Sequence, residues 1–149
     1  MKKPLIVLTG PTAVGKTSLS IALARAVEGE IISADSMQVY KHMDIGSAKI
    51  KKEEMEGIPH YLIDVLEPDE EFHVVHFQEM AQEAMKEIYS KGKIPILTGG
   101  TGFYIQAVVK DIDFSQDTEK SSVRERLENL AQGNRMCAVC RARVMGLTY

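Results

Sequence analysis

The sequence of residues 10–17, GPTAVGKT, constrains this chain more than any other stretch, because it lies between an apolar run at 5–8 and a helical pattern. Its spacing, G-x-x-x-x-G-K-[ST], is that of a phosphate-binding loop, in which backbone N–H groups surround a phosphate. The glycines allow a close backbone approach, and the helix that follows directs the positive end of its dipole at the anion. The predicted binding residues are Gly10, Pro11, Thr12, Ala13, Val14, Gly15, Lys16 and Thr17.

Two side chains of this loop are predicted to take part in binding as well. Lys16 adds a positive charge at the phosphate, and the Thr17 hydroxyl is a candidate ligand for Mg²⁺. The loop does not identify a reaction, because kinases, NTPases and enzymes that release diphosphate all use it. The structural alternative is a glycine turn with an unrelated lysine, and the strand and helix patterns on either side argue against it.

The composition is that of one globular domain. The 149 residues are 44% hydrophobic and 26% charged, which is ordinary for a protein with a single core. Basic residues number 18 and acidic residues 21, giving a net charge of -3, so an RNA partner would depend on local contacts. The apolar run near the start is far shorter than a membrane span, which predicts a cytoplasmic protein without membrane contact.

Alternating strand and helix patterns predict an α/β fold of the P-loop NTPase type, an open parallel sheet flanked by helices. Strands are expected at 5–8, 30–34, 61–65 and 94–98, and helices from 16 to near 29 and from 74 to 89. Residues 36–59 lack clear periodicity and are expected to form a loop that wraps a ligand. The core is predicted to span residues 1–110, and residues 111–149 to begin a helical insertion with an atypical tail.

Asp35 follows directly after the second predicted strand. In an open parallel sheet the carboxyl ends of the strands carry the ligands, so Asp35 is expected at the same edge as the phosphate-binding loop. A carboxylate at that edge is a candidate catalytic group. An Asp at this position is equally suited to capping the turn that follows, and the residues alone leave both interpretations open.

A second glycine-rich corner, residues 99–102, follows the last predicted strand. Its backbone donors and the Thr101 hydroxyl are expected to face the first loop across the sheet edge. A plain tight turn is the alternative. Asp64 is a weaker candidate, interpreted as a capping residue rather than a magnesium ligand. The four histidines lack metal-ligand spacing and are interpreted as surface or packed side chains.

Five motifs, in this order, resemble those of the tRNA dimethylallyltransferases, also called tRNA isopentenyltransferases. They are GPTAVGKT at 10–17, EIISADSMQVY at 30–40, MDIGSAK at 43–49, GIPHYLIDV at 57–65 and PILTGGTGFYI at 95–105. The resemblance covers residues 4 to about 130 and is far more specific than a phosphate-binding loop alone.

The resemblance implies transfer of a dimethylallyl group from dimethylallyl diphosphate to N6 of an adenosine next to the tRNA anticodon. It implies that residues 10–17 hold the diphosphate, with Mg²⁺ near Thr17, and that Asp35 is the base that acts on the adenine amino group. Ser36, Met37 and Gln38 would lie along the extruded base beside Asp35, and Thr101 would contact the tRNA. The implied partners are dimethylallyl diphosphate and the tRNA anticodon arm.

The resemblance also implies a longer chain, in which a helical insertion grips the anticodon arm and further core follows. Here the sequence stops soon after that insertion begins, and residues from about 133 do not resemble the family. A truncated or frameshifted end is therefore expected, which leaves the activity of this chain alone an open question.

Two other classes of protein share the phosphate-binding loop. A small-molecule or nucleotide kinase would need an acceptor site and an arginine-rich lid, and no arginine occurs between residues 26 and 123. A non-catalytic nucleotide-binding module would need neither Asp35 nor the second glycine corner.

Overall fold

The structure, a computed structural model, describes residues 3–11 and 13–114. One compact unit spans Met1–Ile112, and the other, Asp113–Tyr149, lies almost wholly outside the described residues. Thr12 and the predicted helical insertion also lie outside them, so the domain division and the insertion stay predictions. The elements are β1 (Ile6–Thr9), α1 (Lys16–Val27), β2 (Gly29–Ser33), β3 (His60–Tyr61), α2 (Val74–Ser90), β4 (Ile94–Gly99) and α3 (Gly102–Val109).

The four strands form one parallel sheet in the order β1-β4-β2-β3, which confirms the predicted α/β fold. Strand β4 pairs with β1, with Thr9 opposite Gly99, and with β2, with Ser33 opposite Thr98. Because the strands are parallel, the loops after β1, β2 and β4 leave the sheet at the same edge.

Helices cover both faces of the sheet. Ile31 and Ile96 pack against α1, whereas Ile32 and Leu97 pack against α2 and α3. Successive strand residues point to opposite faces, and these four side chains are fully buried. Among the helices of the described residues, none has the length and apolar character needed to cross a membrane.

The predicted third strand at 61–65 is wrong in its extent, since β3 is only His60–Tyr61. Leu62 and Asp64 have φ angles of 61° and 53°, in the left-handed region, and these angles end the extended backbone. The Asp64 N–H instead donates to the Gln38 carbonyl at 3.1 Å. The segment after β3 is thus attached to the loop after β2.

A buried carboxylate holds the opposite edge of the sheet. The Glu30 side chain is 2% exposed and accepts hydrogen bonds from Lys93 Nζ at 2.8 Å, Lys91 Nζ at 3.2 Å and the Tyr61 hydroxyl at 2.8 Å. Burial raises the pKa of Glu30, but the hydrogen bonds from Lys93, Tyr61 and Lys91 outweigh it and leave this pKa below its usual range. One ionised group therefore joins β2 and β3 to the turn between α2 and β4.

Gly99, at the end of β4, lies directly against the backbone of Ala34. A Cβ at position 99 would lie 2.2 Å from the Ala34 carbonyl oxygen and 2.6 Å from its carbonyl carbon. The Ala34 N–H donates to the Thr98 carbonyl at 2.7 Å, which holds the two strand ends together. Only glycine fits this contact, and the contact fixes the start of the second glycine corner next to Asp35.

Replacing Glu30 with Gln removes the charge and keeps the shape. We expect the free energy of unfolding at pH 7 to fall by about 1–2 kcal/mol. Hydrogen bonds to a charged group contribute this much to stability when solvent partly screens the lysine partners. A carboxyl whose folded pKa is below its unfolded pKa of about 4.3 contributes stability above that pH and loses it as the pH falls through the folded pKa. The difference between the two proteins should therefore shrink as the pH falls below about 4. Urea denaturation at several pH values measures it, and a constant difference would contradict this prediction.

The Gly99→Ala variant tests the contact with Ala34. We expect the free energy of unfolding to fall by about 1–3 kcal/mol or more, the usual cost of forcing extra atoms into a packed site. Gly102→Ala is the matched control, because a Cβ there meets nothing within 4 Å and alanine favours the helix. Urea denaturation followed by circular dichroism compares the two variants. Equal stability of both would show that the backbone at Ala34 moves without cost.

Candidate active site

The phosphate-binding loop joins the end of β1 to the start of α1. Gly15 has a φ of 84°, in the left-handed region that favours glycine, and its carbonyl accepts a hydrogen bond from the Leu19 N–H at 3.1 Å. No acidic residue lies in the first turn of α1, so no carboxylate there offsets the positive end of the helix dipole. Lys16 Nζ donates to the Pro11 carbonyl, which holds the ammonium group across the loop. The loop has the donors and the charge of an anion site.

A cavity of about 340 Å³ opens at this edge of the sheet, within the usual range for small-ligand sites. Three strand ends contribute to its lining. The contributed residues are Ala13, Gly15, Lys16 and Thr17 from the phosphate-binding loop, Ser33, Asp35 and Gln38 from the end of β2 and beyond, and Thr98, Gly99 and Gly100 from the end of β4. The structure thus brings predicted residues of separate motifs together around one space.

Other predicted residues of the phosphate-binding loop lie beside this lining. Gly10 is near the second glycine corner, since a Cβ at Gly100 would lie 3.8 Å from the Gly10 carbonyl oxygen. Pro11 contributes the carbonyl that accepts from Lys16, and the Val14 side chain is exposed. Their roles in binding stay predictions.

Asp35 caps the turn after β2 and also lies at the cavity, so the structure agrees with the position that both interpretations of the sequence required. Its Oδ1 accepts hydrogen bonds from the Met37 N–H at 2.8 Å and the Gln38 N–H at 3.2 Å, which caps the turn. The same side chain lines the cavity together with Lys16. Among the described residues no donor hydrogen-bonds to Oδ2. One carboxylate oxygen is therefore fixed by the backbone, and the catalytic role of Asp35 stays a prediction.

The residues after Asp35 differ in whether they line the cavity. Ser36 and Met37 are not part of the cavity lining, and Met37 is 49% exposed. Gln38 lines the cavity, but its amide is engaged with the chain, with Oε1 accepting from Ser33 Oγ at 3.2 Å and Nε2 donating to the Ser47 and Ala48 carbonyls, both at 3.3 Å. This amide holds surrounding backbone in place.

The second glycine corner faces the first through Gly99 and Gly100, which line the cavity. Thr101 lies at the start of α3, and its N–H donates to the Ala34 carbonyl at 3.4 Å. Its side chain makes no capping hydrogen bond to α3, and Thr101 is not part of the cavity lining. Its predicted contact with tRNA stays a prediction.

Sequence reasoning missed part of the cavity lining. Ser47, Ala48 and Ile50 come from the loop after β2, and Ser20, Ile31, His60 and Ile63 complete the lining. His60 Nδ1 lies 2.8 Å from the Ile58 carbonyl oxygen, so Nδ1 carries the proton. Burial lowers the pKa of His60 and this hydrogen bond only partly offsets it, so the ring is neutral at pH 7. No spacing marks these residues, because they come from four separate segments.

Asp64 lies outside the cavity lining and forms an ion pair with Lys49, Nζ to Oδ1 at 2.6 Å. Among the described residues there is no cluster of three or more His, Cys, Asp or Glu side chains suited to a metal ion. Thr17, the predicted Mg²⁺ ligand, lines the same cavity as Lys16, and Mg²⁺ is commonly held by one or two protein oxygens together with substrate phosphates. The Thr17 hydroxyl therefore fits a magnesium ion that enters with a diphosphate.

The chain is similar in sequence to transferases that act on tRNA. A family model described as IPP transferase matches residues 38–144, so the likeness runs past residue 133, where it was expected to end. A relative from Lachnoclostridium phytofermentans, named tRNA dimethylallyltransferase, is 68% identical over 130 residues, which cover 87% of this chain and 42% of the relative. A relative of the same name from Exiguobacterium sibiricum is 56% identical over 131 residues, covering 88% and 42%. The chain spans less than half the length of these relatives.

Solved structures agree with the sequence comparison. The full-length tRNA isopentenylpyrophosphate transferase of Bacillus halodurans matches with a TM-score of 0.76 and 46% identity, over 90% of this chain and 44% of that one. A eukaryotic dimethylallyltransferase acting on tRNA matches with a TM-score of 0.75 and 39% identity, over 85% of this chain and 32% of that one. Because the family model matches most of its length and its fold is that of these structures, the chain belongs to the IPP transferase family.

Proposed function

We propose that this chain provides the catalytic core of a tRNA dimethylallyltransferase, which transfers a dimethylallyl group from dimethylallyl diphosphate to N6 of an adenosine next to the anticodon. The observation that carries the proposal is the lining of one cavity by the phosphate-binding loop and Asp35. Such a cavity brings an anion site and a carboxylate to the same small space. A group transfer with a diphosphate leaving group needs this pair.

The proposed reaction forms one bond and breaks one. The adenine N6 attacks C1 of dimethylallyl diphosphate, the C1–O bond breaks, and diphosphate leaves with the electron pair. Negative charge grows on the leaving group, and Lys16 with the backbone donors of the loop stabilises it where it develops. Asp35 takes the proton that N6 loses. Its capped Oδ1 keeps the carboxylate in position while Oδ2 accepts that proton.

Magnesium is part of the proposal. Thr17 is the residue that would hold the ion together with oxygens of the diphosphate. When bound, Mg²⁺ supplies further charge stabilisation to the leaving group. The residues of the chain bind the organic substrate, orient it and accept the proton.

The tRNA is the proposed second substrate. A stacked base is out of reach of an enclosed site, so the adenosine must be extruded toward the cavity. Met37 is exposed next to Asp35 and offers an apolar surface to the base, with Ser36 and Gln38 beside it and Thr101 on the neighbouring corner. We include in the proposal the anticodon arm as partner, the residues beyond 110 as its binding surface, and a cytoplasmic location, where tRNA takes part in translation.

The kinase alternative lacks support. The curated and structural relatives bear the names of dimethylallyl and isopentenyl transferases. The single arginine within the described residues, Arg25, forms an ion pair with Glu56 and does not line the cavity. A phosphoryl-transfer site built on arginine contacts has no counterpart in that part of the chain.

The function is tested by offering labelled dimethylallyl diphosphate, ATP and tRNA in parallel. The assay uses this chain alone and this chain joined to the C-terminal part of the Lachnoclostridium relative. We expect label in tRNA from dimethylallyl diphosphate and no phosphoryl transfer from ATP. Phosphorylated product without prenylated tRNA would contradict the proposal.

Lys16→Ala removes the charge at the anion site. We expect the affinity for inorganic diphosphate to fall about 10- to 100-fold, because a hydrogen bond to a charged group is worth about 1.5–3 kcal/mol. The circular dichroism spectrum should not change, since the Lys16 side chain bonds only to a loop carbonyl. Lys41→Ala is the control, because Lys41 pairs with Glu67 away from the cavity lining. Isothermal titration calorimetry measures both, and equal loss in the two variants would contradict a specific role for Lys16.

Asp35→Asn separates the two roles of this side chain, since Asn keeps an oxygen for the cap but cannot accept the proton. We expect prenyl transfer to fall by on the order of 10²-fold or more, as for loss of a general base, with the stability unchanged. Asp35→Ala also removes the cap and should lower the free energy of unfolding by about 0.5–2 kcal/mol. Turnover in the joined protein and urea denaturation of this chain provide the two measurements. Wild-type turnover by the Asn variant would refute the assignment.

A further inference from the structure

Lys49 is a buried lysine close to the cavity but not on its lining. Its side chain is 5% exposed, and its ammonium group donates to the Tyr40 carbonyl at 2.8 Å, Asp44 Oδ1 at 2.9 Å and Asp64 Oδ1 at 2.6 Å. An ammonium has three donors, so these contacts use all of them. Burial lowers the pKa of Lys49, but the hydrogen bonds that it donates to Asp64 and Asp44 outweigh this effect and raise the pKa above its ordinary value. The group is a fixed cation.

These contacts fasten residues 41–50, which we name the wall loop. Lys49 joins the loop to Tyr40 at its start and to Asp64 in the segment after β3. Inside the loop, Ser47 Oγ donates to the Met43 carbonyl at 2.6 Å. Gln38 Nε2 reaches the Ser47 and Ala48 carbonyls from the other side. The loop has no helix or strand of its own, so these side-chain contacts give it its shape.

The wall loop lines two cavities. Ala48 and Ile50 line the cavity of the phosphate-binding loop, and both also line a second cavity of about 720 Å³ next to α1, as Thr17 does. Lys49 lies between Ala48 and Ile50 in sequence and is among the residues of the second cavity. The position of residues 48–50 therefore contributes to the width of the first cavity.

The chemistry of this wall is apolar toward the first cavity. Ala48 and Ile50 carry methyl groups, and the Ser47 hydroxyl beside them is engaged with the Met43 carbonyl. The positive charge of Lys49 is balanced by two carboxylates, and its ammonium has no donor left for a phosphate. The anion donors come instead from Gly15, Lys16 and Thr17. The wall thus suits the hydrocarbon part of a substrate whose anionic part lies on the loop.

We propose that Lys49 is a positioning residue, which holds Ala48 and Ile50 as the apolar wall against the dimethylallyl group and takes no part in holding the diphosphate. This inference rests on the proposed function for the identity of the ligand. The attachment of the wall loop by Lys49 can be measured without any ligand.

Lys49→Met tests the proposal, because methionine has a similar length and no charge. Asp44 and Asp64 are 70% and 48% exposed, so water can hydrate them in the variant and the fold should persist. We expect the affinity for dimethylallyl diphosphate to fall about tenfold, which corresponds to the loss of roughly two methylene contacts. The affinity for inorganic diphosphate should change less than about twofold, since the phosphate donors are untouched. Lys41→Met, in the same loop but in an exposed ion pair with Glu67, is the control and should change neither.

Hydrogen exchange of this chain without ligand gives the second measurement. In Lys49→Met the amides of Asp64 and Val65, which donate to the Gln38 and Val39 carbonyls at 3.1 and 2.9 Å, should exchange on the order of ten times faster, because Lys49 no longer joins the wall loop to this segment. The amides of β2 and β4 should keep their rates, because local opening involves only the released segment. Lys49→Arg keeps the cation, so its exchange rates should be closer to those of the unchanged chain than the rates of Lys49→Met are.

The outcomes separate the two proposals. Equal loss of affinity for both ligands, or unchanged exchange of the Asp64 and Val65 amides, would overturn the role of Lys49. Failure of the unchanged chain to bind either ligand would overturn the proposed function and the substrate assignment of the wall. The exchange rates would then still decide whether Lys49 holds the wall loop.

Discussion

The backbone pairing of β4 with both β1 and β2 is the constraint on which the rest of the structure depends. It brings the ends of three strands to one edge, with Thr9 opposite Gly99 and Ser33 opposite Thr98. The contact between Gly99 and Ala34 then sets how closely the loops after β2 and β4 approach. A larger residue at position 99 would separate them, and Asp35 would no longer face the phosphate-binding loop at its present distance. The cavity is thus a consequence of strand pairing.

The two edges of the sheet use charge differently. At the amino edge, Glu30 is buried and fully engaged by Lys91, Lys93 and Tyr61, so its charge stabilises the fold and is closed to a ligand. At the carboxyl edge, the Lys16 ammonium donates to one neutral carbonyl, that of Pro11, among residues 3–11 and 13–114. Within the described residues no buried side-chain polar atom lacks a hydrogen bond. Groups available for chemistry therefore lie in the cavity and at its mouth.

Local patterns were enough to predict the phosphate-binding loop, helices α1 and α2 and the strands that precede the glycine corners, because glycine spacing and apolar periodicity act over a few residues. They also predicted that Asp35 lies at the carboxyl edge of the sheet, because a residue directly after a parallel strand leaves the sheet at that edge. The strand order, the short β3 and the place of His60 depend on contacts between segments far apart in sequence. Leu62 illustrates this: nothing in its side chain favours a left-handed backbone, and the attachment of this segment to Gln38 imposes it. The wall loop was predicted as a loop, but its attachment by Lys49 was not, because Tyr40, Asp44 and Asp64 carry no common pattern.

The hydrogen bond from Lys16 to Pro11 has a consequence for how an anion would bind. The ammonium has three donors and uses one of them on this carbonyl, so it can bind an anion through the others or in place of the carbonyl. Turning the lysine side chain toward an anion requires no movement of α1. Asp35 is held in a comparable way, since the Met37 and Gln38 amides fix one of its oxygens. Backbone groups thus order both of these side chains, and in the reaction proposed above the energy of binding could be used for aligning the substrates rather than for building the site.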